Sequence, residues 1–103
     1  MKKVIDGRSY NTETAKKVAE YSYGEWGDWD RVEQTLYLTK NGSWFLAGEG
    51  GARSEYSRQV AQNRWSGGED IRALTADEAL LWLEEHSKTE AIEEHFADRV
   101  AEA

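Results

Sequence analysis

The sequence predicts an α+β domain: a small, mainly antiparallel sheet built around one central β-hairpin, packed by helices, with two consecutive helices closing the chain. Three observations carry that expectation. Asn41-Gly42 joins two β-prone runs, Thr35 to Lys40 and Ser43 to Ala47, and an Asn-Gly connection favours the type I′ turn whose twist suits a hairpin. Thr75-Ala76-Asp77-Glu78 has the form of a capping box ahead of apolar residues at helical spacing, and Ser87-Lys88-Thr89-Glu90 repeats that form. The length of 103 residues, with 39% apolar residues, five Trp, five Tyr and two Phe, suits one folded domain spanning 1–103 without linker, repeat or low-complexity stretch.

The remaining elements follow from local chemistry. Val4-Ile5 reads as a short strand entering an Asp6-Gly7 turn, and Arg8-Ser9-Tyr10 as the strand that leaves it. Asn11 is expected to cap a helix reaching about Tyr21, with Ala15, Val18 and Ala19 as its apolar stripe. The aromatic and glycine-bearing stretch from Tyr21 to Asp30 reads as a loop. In the hairpin a two-residue turn pairs Lys40 with Ser43, Thr39 with Trp44, Leu38 with Phe45 and Tyr37 with Leu46. That register sets Leu36, Leu38, Phe45 and Ala47 on one face, with Tyr37, Trp44 and Leu46 on the other, so both faces need partial cover. Gly48-Glu49-Gly50-Gly51 ends the hairpin. Ser54 is expected to cap a helix to Trp65 that turns Tyr56, Val60 and Trp65 inward and stops at Gly67-Gly68. Asp70 to Leu74 alternates like a strand. The helix opened at Thr75 runs to about His86 and buries Ala76, Ala79, Leu80 and Leu83, with Leu81 on the opposite side and Trp82 on the flank. The last helix, capped by Ser87, turns Ile92, Phe96 and Val100 inward.

Composition excludes several functions. Without cysteine there is no disulfide framework, thiolate nucleophile or cysteine-ligated metal. The longest apolar run, Ala79 to Leu83, is too short to cross a bilayer, and Met1 to Gly7 lacks the apolar stretch of a secretory signal; a cytoplasmic protein that does not enter membranes is expected. The net charge of −7 resides entirely in residues 77–103, where nine acidic side chains meet only Lys88 and Arg99. Such a surface repels phosphate backbones, so no direct nucleic-acid binding is expected, and it attracts basic partners. On the last helix Glu90, Glu94, Asp98 and Glu102 recur every four residues and are expected to form one outer stripe, with Arg99 reaching only Glu102. Like charges at that spacing repel by about 0.2–0.5 kcal/mol per pair. One reading of the stripe is a match for a basic, nucleic-acid-holding groove on a partner; the other is a solvated face that aids solubility.

The other constellations are less specific. Tyr21, Tyr23, Trp26 and Trp29, with Trp44 on the hairpin, suit a protein-binding hot spot, a stacking surface for sugars or bases, or a loop that closes the core. Leu81, projecting outward, adds to an interface, a homodimer included. Gly48 to Arg53 has the strand-to-helix context of a phosphate loop, but its spacing matches no phosphate fingerprint and Glu49 would repel the ligand. Arg53, Arg58 and Arg64 form a small basic patch or a counter-charge for the acidic tail. His86 and His95 lack helical metal-ligand spacing and no nucleophile elbow is present, so no catalytic residue, metal or cofactor is assigned.

Ile5 to Ala15, Thr35 through Gly51, Trp65 to Glu69 and Leu74 to Ala79, segments spread over most of the chain, resemble a family of small proteins carried by phages and other mobile elements. Gly48-Glu49-Gly50-Gly51 and Ser66-Gly67-Gly68-Glu69 are the most distinctive pieces. The resemblance implies an accessory role, inhibition of host defence and anti-CRISPR activity among them. It transfers no catalytic residue and does not reach the last helix. The combined expectation is a non-catalytic inhibitor in the host cytoplasm that binds a host defence protein through a basic surface. Glu90, Glu94, Asp98 and Glu102 would steer it, and Trp26, Trp29, Trp44 and Leu81 would anchor it. The alternative is a glycan- or nucleotide-binding domain, or an enzyme, using the Trp-rich loop and the glycine turn.

Overall fold

The computed structural model describes residues 1–103, and its fold is α+β, with antiparallel sheets preceding two helices. Strands β1 (Lys2–Ile5) and β2 (Arg8–Asn11) pair around Asp6 and Gly7, both at positive φ (51° and 76°). A type I′ turn requires that geometry. The main sheet is antiparallel throughout, in the order β3 (Lys16–Tyr23), β4 (Val32–Leu38), β5 (Trp44–Gly50), β8 (Gly68–Leu74). Strands β6 (Arg58–Ala61) and β7 (Arg64–Ser66) form a separate two-stranded arm. Helices α1 (Ala76–Glu85) and α2 (Thr89–His95) follow, and then a 3₁₀ turn over Ala97–Arg99.

The central hairpin forms at Asn41-Gly42, but its register differs by one residue from the expected one. Leu38 faces Trp44, Tyr37 faces Phe45 and Leu36 faces Leu46. Only Gly42 takes a positive φ (84°) in this loop, its N–H donates to the Thr39 carbonyl at 3.0 Å, and the Thr39 N–H donates to the Ser43 carbonyl at 2.8 Å. This is a three-residue connection with glycine at the left-handed position, not a type I′ turn. The Thr39 hydroxyl supports it by accepting from the Ser43 N–H at 3.0 Å. One residue of slip moves side chains to the opposite face. Trp44 and Leu46 therefore join Leu36 under the helices, packed with Ala79, Trp82, Leu83 and Phe96. Phe45 and Ala47 pack on the other face with Ile71 and with Tyr10 of β2. Each face carries only a thin cover, which leaves a plate of 49 × 34 × 19 Å.

Two expected helices are absent. Asn11 does not cap a helix; its side chain accepts from the Glu13 N–H at 2.9 Å and closes a local turn before β3. A bulge between Lys17 and Ala19 lets Val18 and Ala19 both pack on the helix-covered core. Adjacent inward residues blur the period of two and imitate a helical stripe. The Ser54 hydroxyl likewise serves a turn, donating to the Gly51 carbonyl at 2.7 Å and accepting from the Tyr56 N–H at 3.1 Å. The chain beyond it reverses at Asn63 (φ 59°) to make the β6–β7 arm, leaving Val60 and Trp65 exposed.

Helix α1 forms with its capping box intact: the Glu78 N–H donates to Thr75 Oγ1 at 3.1 Å and the Thr75 N–H donates to Glu78 Oε1 at 2.9 Å. Trp82 is buried alongside Ala79 and Leu83, whereas Ala76 is exposed. The second capping box does not form. Ser87 lies at φ 56°, its N–H donates to the Glu84 carbonyl at 3.2 Å, and the Lys88 N–H donates to the Leu83 carbonyl at 2.9 Å. This is the Schellman closure of α1, so Ser87 terminates one helix and is not free to start the next. Helix α2 begins at Thr89 without a side-chain cap and ends at His95. Phe96 is buried as expected, but Val100 lies beyond the helix and is exposed.

Candidate functional site

The early stop of α2 reshapes the acidic surface. Glu90 and Glu94 remain one turn apart on α2, Asp98 sits in the 3₁₀ turn, and Glu102 lies in the irregular end, so the four do not form one helical stripe. The charge is spread over a layer instead. Asp77, Glu78, Glu84 and Glu85 of α1 and Glu90, Glu93 and Glu94 of α2 are all exposed, with Leu81, 55% exposed, on α1 among them. Two cations answer this layer: Arg99 pairs with Asp77 rather than Glu102, and Lys16 lies 3.3 Å from Glu94. Both pairs are exposed and contribute little to stability. None of Arg53, Arg58 and Arg64 pairs with the tail.

The aromatic residues separate into two groups. Trp44, expected at the surface, is 8% exposed; the register shift turns it inward against Phe96, ring centroids 5.2 Å apart. It belongs to the core and is not available as an anchor. Trp26, 86% exposed, and Trp29 remain on the surface, each with a guanidinium on its ring face: Arg31 at 4.6 Å and Arg53 at 4.9 Å. The Arg53 N–H also donates to the Trp29 carbonyl at 2.7 Å, which ties the loop to the end of β5. The glycine run is part of β5 and a turn, with no helix after it, so it lacks the helix N-terminus of a phosphate cradle.

A groove of about 400 Å³ opens on the helix-covered face, between the end of α1 and the 52–57 loop, over the β3 and β4 strands. Its floor is Gln34, the one buried polar side chain. Gln34 Oε1 accepts from the Trp82 indole N–H at 2.9 Å, while Nε2 donates to the Tyr56 hydroxyl at 2.8 Å and to Glu55 at 3.2 Å. These bonds join three segments that no sequence spacing connects. Tyr56 lies directly over Gly48, where any Cβ would collide with its ring; burial pushes its phenol pKa up. On the wall, His86 stacks on Tyr21 at 3.9 Å and meets Trp82 at 4.6 Å. Partial burial holds the His86 pKa below its ordinary 6.5, against the opposing pull of Glu85, so the ring is neutral at pH 7. His95 sits elsewhere, edge-on to Trp44 at 5.5 Å.

The opposite face holds a feature with no sequence signal. Glu33, Glu49 and Glu69 stand directly across from one another on β4, β5 and β8. Arg31 Nη1 lies 3.4 Å from Glu33 and 3.8 Å from Glu49. A hydrogen bond with Glu33, then burial and the Glu33 charge, raise the Glu49 pKa above its ordinary 4.5. A raised carboxyl pKa costs stability as pH rises from the unfolded value through the folded one. Glu49→Gln is therefore expected to stabilise at pH 7 and to be neutral at pH 4. The gain lies at the low end of about 0.2–1 kcal/mol, because this side chain is 42% exposed and screened. Urea unfolding at the two pH values measures it.

No protein-family model, curated protein or solved structure matches the chain significantly, and none of these comparisons bears on the resemblance to mobile-element proteins. No helix is long and apolar enough to cross a membrane.

Proposed function

We propose that this is a non-catalytic binding protein that docks its acidic helical layer on a basic surface of a partner protein. The supporting observation is the placement of the entire −7 charge in residues 77–103, which form α1, α2 and the chain after them, on exposed carboxylates that Lys16 alone meets in an ion pair from outside the segment. A concentrated field of one sign raises encounter rates with an oppositely charged surface and weakens with salt. Leu81, exposed among the carboxylates, supplies apolar contact once the surfaces meet. The resemblance to small proteins of phages and mobile elements supports a host defence protein as the partner, with a basic surface that normally holds nucleic acid. The layer then occupies that surface and excludes the nucleic acid.

Glu90→Lys/Glu93→Lys tests this reading. Both glutamates are exposed and form no ion pair, so the fold is retained. Association with a captured host partner is expected to slow by about tenfold or more at low salt, with the difference shrinking as salt rises. An unchanged rate with unchanged salt dependence overturns the reading.

A further inference from the structure

The groove beside α1 has aromatic walls, and two carboxylates reach into it. Glu55 enters from the 52–57 loop and Glu85 from α1. The last turn of α1 carries Glu84 and Glu85 and no basic residue; Lys88, just past the helix, is close enough to act on His86. A helix gains from cations at that end, so two carboxylates there run against its own stability. Arg72 is the one fixed cation in the lining. His86 adds no charge at pH 7, being partly buried against Tyr21 and Trp82. The amide donors of Gln34 are already committed to Tyr56 and Glu55, which leaves the floor without a free donor for an anion.

We propose that the groove receives an arginine side chain of the basic partner. The guanidinium lies over the exposed Tyr23 ring, beside Tyr21 and His86, and is balanced by Glu55 and Glu85. This rests on the proposed docking of the helical layer, because α1 supplies both that layer and one wall of the groove. Planar guanidinium suits aromatic walls better than the compact, strongly hydrated ammonium of lysine. The volume, about 400 Å³, falls within the range of side-chain and small-ligand pockets. An anionic group would meet the Glu55 and Glu85 carboxylates in the lining, where Arg72 is the one guanidinium and Lys88 lies outside it.

The test titrates N-acetyl-arginine amide and its uncharged isostere N-acetyl-citrulline amide, each to about 50 mM, and follows the five tryptophan indole N–H resonances by NMR. Trp82 is assigned from the Trp82→Phe spectrum. A saturable shift of Trp82 with the arginine compound and not with citrulline is expected. Glu55→Gln/Glu85→Gln should weaken it at least about fivefold. Glutamine keeps the oxygen that accepts from Gln34, so the floor survives, as unchanged resonance dispersion would verify. No shift at Trp82, an equal shift with citrulline, an equal shift with inorganic phosphate, or full affinity in the double variant would each overturn the proposal. Failure of the docking reading looks different: arginine amide binds normally while Glu90→Lys/Glu93→Lys leaves partner association unchanged. Failure of the groove alone is the converse, with partner association slowed in that variant and no arginine-amide binding.

Discussion

Phe45→Ala is expected to remove about 3–5 kcal/mol of stability, a large share of the roughly 5–15 kcal/mol that holds an ordinary domain together. Phe45 is fully buried between the sheet and the β1–β2 hairpin, edge-on to Tyr10 at 5.5 Å and stacked on Tyr37 at 5.0 Å. The core on that face is small, with Tyr10, Ala47 and Ile71 as its other buried members, so the lost ring is a large share of its packing. Urea unfolding gives the loss, and amide exchange locates it. Protection in β1 and β2 should collapse well before protection in α1. The alternative register, with Phe45 beside Leu36 under the helices, predicts the reverse order. Deprotection of α1 first, or a loss below about 1 kcal/mol, would refute the assignment of Phe45 to the hairpin-covered face.

Gly48→Ala is expected to cost about 1–3 kcal/mol, although it adds one methyl group. That methyl falls within the Tyr56 ring, so Tyr56 has to leave and its hydroxyl loses the 2.8 Å bond from Gln34. Gln34 also holds the Trp82 indole, so tryptophan emission should change together with stability. Tyr56→Ala removes the obstacle. In a Gly48→Ala/Tyr56→Ala cycle the double variant should be more stable than the sum of the single losses predicts, by about 0.5–3 kcal/mol. Additivity within about 0.3 kcal/mol would show that the two positions do not meet.

Part of the candidate site was legible in the sequence. The segregation of charge needed only the order of residues, and Leu81 is exposed where helical spacing placed it; Trp26 and Trp29 are exposed as well, which the sequence left open between a surface anchor and a loop closing the core. The groove was not legible, because Gln34, Glu55 and the Trp82–His86 end of α1 belong to three different segments and carry no shared motif. The glycine run was visible as the end of the hairpin, but the reason for Gly48 was not: it makes room for Tyr56. Trp44 shows how a small error propagates. One residue of hairpin register converts a surface anchor into a member of the core.

The sequence by itself determined the α+β class, the β1–β2 turn, the existence of the central hairpin, the capped start of α1 and the location of the charge. Each of these is decided within a few residues, by a turn glycine, a reciprocal side-chain cap or a count of carboxylates. Tertiary structure alone decided the register of the hairpin, the bulged strand where a helical stripe was expected, the β6–β7 arm and the fate of Ser87. Those outcomes turn on which apolar face finds cover and on which helix claims a shared residue. The free-energy differences involved arise from burial between distant segments and leave no trace in local order.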